Sequence, residues 1–215
     1  MPTIRHLLTA TLLLAAGVST SQAAALLQIS GGTDLAIPSS NDVLHPLEGN
    51  TRNRGILSTT ADNVTLEFFY WGSESGYRNT LHAGGFSHTE IDNVAIGGGP
   101  VAFPGFGSPL FSYAQAGAGA IQLSFTSSGF SGTLLPGSPD LIKSIAFGYL
   151  TAAGKLSATP TDIALITLDD GGAGPDDNHD DYVGFVRATA VPAPAAAWLF
   201  GSALLGLAAA IRKRG

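Results

Sequence analysis

The chain has 215 residues, a net charge of −6, no cysteine and only 12% charged side chains. Without cysteine there is no disulfide framework, no thiolate nucleophile and no thiolate metal ligand. The scarcity of charge excludes a charge-driven disordered chain, the acidic balance argues against nucleic acid as a partner, and the length suits one domain of ordinary size.

Residues 1–25 read as a secretory signal peptide. Arg5 supplies the positive n-region and Leu7 to Val18 the apolar h-region. Ser21-Gln22-Ala23 or Ala23-Ala24-Ala25 supplies the small-residue cleavage site. Export through a signal peptidase is the expectation.

Residues 26–190 read as a single β domain. Between 24 and 191 there are 24 Gly in 168 residues, about twice the average frequency of ~7%, which suits many turns and not long helices. Residues 31–62 are polar, carry Pro38 and Pro46, and promise the least order. Val64 to Trp71 is apolar on both faces apart from Thr65 and Glu67, as a strand covered on both sides would be. Ile121, Leu123 and Phe125 alternate with Gln122, Ser124 and Thr126, the pattern of a half-buried strand. Leu141 to Leu150, Ile163 to Leu168 and Tyr182 to Ala188 are further strand candidates. Gly97-Gly98-Gly99-Pro100 and Pro136-Gly137-Ser138-Pro139 punctuate them as loops. No stretch sustains a 3.6-residue period. The expected fold is an all-β, antiparallel β-sandwich or jelly-roll-like single domain, flanked by the signal peptide and a C-terminal transmembrane helix.

The segment 169–181 concentrates six of the 16 acidic residues between two strand candidates. Such clustering costs Coulomb energy unless a counter-ion offsets it. Calcium accepts six to eight oxygens in irregular geometry, so Asp169, Asp170, Asp176, Asn178, Asp180 and Asp181 are its candidate ligands. The glycines between them let the loop curl. No Glu closes the loop and no helices flank it, so it is not an EF-hand. A solvated acidic turn without an ion is the alternative.

The same stretch resembles exported bacterial β domains of unknown function. These end in an apolar strand, an acidic pair, a Gly-rich loop, a D-x-D-x-N-D segment and a Val-rich strand. Here the parts are Ile163 to Leu168, Asp169-Asp170, Gly171 to Pro175, Asp176 to Asp181 and Tyr182 to Ala188. Asn178 stands where the pattern has Asp and Asp180 where it has Asn. The resemblance implies a calcium-stabilised sandwich and no particular reaction.

Catalytic signatures are absent. Gly72-Ser73-Glu74-Ser75-Gly76 has the wrong spacing for a nucleophile elbow and reads as a polar turn. His82, His88 and Glu90 lack zinc-site spacing and read as surface or strand-edge residues. Glu67 and Glu74, each with any Asp, are the carboxylates a polysaccharide hydrolase would need, if paired across a cleft. His179 reads as a charge-balancing residue inside the acidic loop. Tyr70, Trp71 and Tyr77 cluster near one turn, which makes Trp71 and Tyr77 candidate glycan contacts; core packing is the competing reading.

The C-terminal segment, 191–215, opens with Val191-Pro192-Ala193-Pro194. An apolar run from Ala195 to Ile211 and the cations Arg212, Lys213 and Arg214 follow. As a helix the run is about 26 Å long, enough to cross a thinned bilayer with its flanks. The terminal cations belong on the cytoplasmic side, which puts the middle domain outside. This end resembles the PEP-CTERM sorting signal of Gram-negative bacteria, with Ala193 where the family has Glu. The resemblance implies transient anchoring in the inner membrane, cutting by an exosortase, and a final place at the cell surface or in the exopolysaccharide matrix of a biofilm.

The expectation is therefore a non-enzymatic, calcium-stabilised surface or matrix protein. A carbohydrate-binding module and a polysaccharide hydrolase are the alternatives. Six basic against 16 acidic residues leave the 24–191 piece at −10, which favours solubility and leaves room for cations.

Overall fold

The computed structural model describes residues 24–37, 43–44, 47, 50–90, 101–140, 142–171 and 179–192. These residues form strands and no α-helix. In chain order the first strands are β1 (Leu27–Ser30), β2 (Asp34–Ala36), β3 (Thr51–Asn53), β4 (Ile56–Thr59) and β5 (Val64–Gly72). Next come β6 (Asn79–Ala83), β7 (Phe86–Thr89), β8 (Phe111–Gln115), β9 (Gly119–Ala120) and β10 (Leu123–Ser127). The last are β11 (Phe130–Leu134), β12 (Ser144–Leu150), β13 (Leu156–Ser157), β14 (Ile163–Asp169) and β15 (Tyr182–Ala190).

All pairings between them are antiparallel. The large sheet runs β2-β3-β12-β14-β15-β5-β8, with β13 also on β12. A second sheet is β11-β10-β6-β7 and a third is β1-β4-β9. A β-sandwich fits this arrangement, because one apolar cluster draws on all three sheets. Leu66 and Phe68 of β5, Ile166 of β14 and Val186 of β15 meet Leu57, Leu81 and Phe125 from the smaller sheets.

The opposite face of the large sheet is also covered. Phe69, Trp71, Leu165, Val183 and Phe185 pack there against Ile37, Val43, Leu44, Leu47 and the aromatics Phe103 and Phe106. Sandwiched on both faces, β14 is buried at every position, as its continuous apolar run anticipates. Phe69 stacks on Phe185 at 4.8 Å between ring centroids, and Phe106 meets both rings edge-on.

The strand candidates beginning at 64, 141, 163 and 182 are all present, within a few residues at each end. Ile121 lies just before β10, but its N–H reaches the Leu57 carbonyl at 2.9 Å and its side chain is buried. The stretch 31–62 differs from expectation. It contributes β2, β3 and β4, whose three or four residues are too short and too polar to announce themselves. Arg52 on β3 is buried in the large sheet, which no alternation rule anticipates. No helix among the described residues is long and apolar enough to cross a membrane. Of the expected signal peptide over 1–25, residues 1–23 lie outside the described residues, as does the expected span 195–211.

Candidate functional site

The acidic segment lies where β14 ends and β15 begins. Side chains alternate across a strand, so neighbouring residues face opposite ways. Asp169 shares the face of Ile163 and Leu165, while Asp170 shares that of Ile166 and Leu168. The two carboxylates, adjacent in sequence, enter different polar networks.

The Asp169 network is organised by His179, whose backbone is left-handed at φ +58°. Its carbonyl accepts from Arg52 Nη1 at 3.2 Å, and the same nitrogen reaches Thr167 Oγ1 at 3.3 Å. Its Nε2 lies 2.6 Å from Ser144 Oγ. Its Nδ1 lies 3.4 Å from Asp169 Oδ2, an ion-pair distance and too long for a good hydrogen bond. Asp169 Oδ1 accepts the Gly171 N–H at 2.8 Å. Ser144, His179 and Asp169 stand in the order of an acyl-transfer triad, yet they are 1%, 3% and 2% exposed. A nucleophile shut off from solvent at that level is better suited to pinning the loop than to attacking a substrate.

Asp180 lies beside Glu74. Its carbonyl accepts the Glu74 N–H at 3.0 Å. Burial first, then the Glu74 carboxylate, pushes the Asp180 carboxyl up to about 8. Two carboxyls this close share a proton in preference to both ionising.

The Asp170 network faces the smaller sheets. Asp170 Oδ2 accepts Ser75 Oγ–H at 2.5 Å and Asn79 Nδ2 at 2.8 Å. Asn79 Nδ2 also donates to the Asp181 carbonyl at 3.2 Å. Asp181 Oδ2 accepts the Asp170 N–H at 2.8 Å, which closes the β14–β15 connection. The Asn79 N–H donates to Glu90 Oε1 at 2.6 Å, and the Glu90 N–H returns to the Asn79 carbonyl at 3.0 Å. Burial pushes the Glu90 carboxyl up to about 7, with the Asp170 charge adding to the shift.

Among the described residues, Glu90, Asp169, Asp170 and Asp180 are the buried acids and Arg52 and His179 the buried cationic groups. No three His, Cys, Asp or Glu side chains among those residues are grouped so as to hold a metal ion. Asp176 and Asn178 lie outside the described residues. Asn79, Ser75 and Ser144 join the site without any sequence signal, because they lie far along the chain from the acidic segment, and Glu90, read as a surface or strand-edge residue, is buried there instead.

Other sequence candidates fall elsewhere. Trp71 is 4% exposed, donates Nε1–H to the Val101 carbonyl at 3.1 Å and meets Phe103 edge-on. It presents no face to a sugar, so the expectation of a glycan contact at Trp71 is corrected to core packing. Tyr77 is 38% exposed at the turn before β6. Glu67 is engaged by Arg187, its cross-strand partner, whose Nε and Nη2 both lie 2.8 Å from Oε2. His82 and His88 point to opposite faces of their sheet, since His88 pairs with Leu81 and His82 with Ser87. His82 meets Thr126 Oγ1 at 2.9 Å and His88 meets the Tyr182 hydroxyl at 3.0 Å. Of the expected sorting signal, Val191 and Pro192 follow β15, and the Val191 N–H bonds the Asn63 carbonyl at 2.8 Å. Ala193, Pro194, Arg212, Lys213 and Arg214 lie outside the described residues.

No family model and no curated protein matches the chain. Among solved structures, a lectin of Chromobacterium violaceum in complex with alpha-methyl-fucoside overlaps it at a TM-score of 0.31 with 12% identity. The overlap covers 61% of this chain and 91% of the lectin. An overlap this loose carries no function across.

Proposed function

We propose that the chain is an exported, non-enzymatic surface or matrix protein, a β-sandwich whose last hairpin is locked by calcium. The observation that carries the calcium reading is the burial of Asp170 and Glu90 at 1% and 4% exposure, where Ser75 and Asn79 meet them and no buried cation among the described residues is bonded to either. Buried carboxylates without compensation cost several kcal/mol each, on the order of the whole stability of a domain. A hard cation that binds only the folded chain removes that cost. The surface or matrix role rests on the signal peptide and on the resemblance of Val191 to Arg214 to a sorting signal. An exosortase and the inner membrane would be its transient partners, and exopolysaccharide its surroundings. Burial of the Ser144 hydroxyl and engagement of Glu67 by Arg187 favour this over the hydrolase. Burial of Trp71 weakens the carbohydrate-binding module.

Thermal unfolding of the full chain in detergent, with excess calcium and with chelator, tests the reading. At a hundredfold excess over Kd, binding stabilises by about 2.7 kcal/mol, or roughly 5–10 °C in a chain of this size. Asp176→Ala combined with Asp180→Ala should abolish the rise. Superimposable curves for the wild-type chain would sink the calcium claim.

A further inference from the structure

The split between Asp169 and Asp170 leaves a set of polar atoms on the Asp170 side that hydrogen bonding does not satisfy. Three buried acceptor oxygens have no hydrogen-bond partner, Asp170 Oδ1, Asn79 Oδ1 and Glu90 Oε2, although the Ser73 and Asn79 side chains also bond the Glu90 carboxyl. Their residues are 1%, 0% and 4% exposed. Buried polar atoms of native proteins are almost always bonded, so three orphans in one connected patch call for an occupant. The patch is connected because Asn79 Nδ2 binds Asp170 Oδ2 at 2.8 Å and the Asn79 N–H binds Glu90 Oε1 at 2.6 Å. The Asn79 amide cannot satisfy its oxygen by turning over. Its Nδ2 already donates to two acceptors, Asp170 Oδ2 and the Asp181 carbonyl.

We propose that Asp170, Asn79 and Glu90 hold a calcium ion that ties the β6–β7 hairpin to the β14–β15 hairpin. The proposal rests on the calcium reading above, but draws its ligands from two hairpins instead of from the acidic loop alone. The donor set decides the metal. It is two carboxylates and an amide oxygen, with no nitrogen or sulfur, which suits a hard cation and not zinc. Magnesium keeps most of its waters and near-ideal octahedral geometry, whereas calcium takes mixed protein oxygens in irregular shells. A proton on Glu90 is the competing occupant: burial raises that carboxyl to about 7, but one proton supplies a donor to only one of the other two oxygens.

Terbium, a luminescent stand-in for calcium, gives a direct readout. Tyr182 is its built-in sensitiser, because its hydroxyl meets His88, two residues before Glu90, at 3.0 Å. The full chain in detergent is titrated with terbium under excitation of tyrosine, and the emission is then competed with calcium. Wild type is compared with Glu90→Gln, Asp170→Asn and the loop variant Asp176→Asn plus Asn178→Ala. Glu90→Gln keeps the acceptor for the Asn79 N–H and removes only the charge.

The expected result is at least a tenfold loss of calcium affinity in Glu90→Gln and in Asp170→Asn. Wild-type affinity in Glu90→Gln, with loss in the loop variant, overturns the two-hairpin site and leaves the calcium reading standing. No binding by the wild-type chain removes both. A wild type that ignores calcium while Glu90→Gln melts higher in chelator identifies the proton as the occupant. Should both single variants fail to fold, Tyr70→Phe combined with Tyr182→Phe decides, since the two rings lie 5.2 Å apart: an unchanged tyrosine-excited emission places the ion away from this patch and overturns the proposal.

Discussion

A carboxyl group buried beside another carboxyl titrates where the fold puts it, and here that is near neutral pH. Glu90 is raised from 4.5 to about 7 and Asp180 from 3.8 to about 8, both chiefly by burial. In chelator, the folded chain therefore holds two protons that the unfolded chain has already released. The sign follows: stability from these groups is full below about pH 4 and is lost as pH rises through about 7 and about 8. Each group contributes a slope of up to about 1.4 kcal/mol per pH unit in between. Urea unfolding at pH 5.5, 7 and 8.5 (roughly spanning that window) should show falling stability, and Glu90→Gln should flatten part of the fall. A stability that rises over this range would contradict the burial of both carboxyls. His179 belongs to the same scale. Its positive φ of 58° is tolerated because its carbonyl holds Arg52 and its ring holds Ser144.

At the scale of elements, the β14–β15 hairpin is the centre of the large sheet and carries both cores. Phe185 is fully buried, stacks on Phe69 and is flanked by Phe103 and Phe106. Truncating Phe185→Ala leaves a cavity and should cost about 3–5 kcal/mol by chemical denaturation. Gly184 next to it sits at the register shift between β15 and β5. A Cβ there would stand 2.7 Å from the Phe69 carbonyl oxygen. Backbone cannot yield as a flexible side chain can, so Gly184→Ala should destabilise by about 1–3 kcal/mol. A neutral Gly184→Ala would mean that the bulge relaxes freely. The Arg187–Glu67 pair on the same two strands is partly exposed. Arg187 also lies over the Phe106 ring at 4.8 Å, so its loss acts through packing as much as through charge.

At the scale of the whole molecule, the sheets join segments that the chain keeps far apart. Asn79 and Asp170 are 91 residues apart, and their bond couples the small sheet to the end of the large one. Cooperative unfolding of both sheets in one transition is the consequence, and calcium should move that single transition as a unit. The proposed role of the C-terminal segment, as an address, is tested separately. With the full chain expressed in a Gram-negative host, fractionation should place it with the inner membrane. A chain ending at Pro192 should instead be found in the periplasm. Equal distribution of the two would remove the anchoring role of residues 193–215.

The sequence by itself determined the strand content, the apolar runs that become β5, β14 and β15, and the density of acid at 169–181. These are local properties: alternation, β-branched and aromatic enrichment, and turn residues are all written within a few positions. The expected terminal signals are likewise read from local patterns alone. Only the tertiary structure decided what the acids do. Strand alternation sends Asp169 and Asp170 to opposite faces, where Ser144 and His179 meet one and Asn79 and Ser75 meet the other. Trp71 likewise reads the same in sequence whether it is a sugar platform or a core residue. Its burial came from a covering segment, Val101 to Phe106, that is distant along the chain. Partners of this kind are set by which strands pair and which loops fold over them, and that depends on the whole chain burying its apolar surface at once.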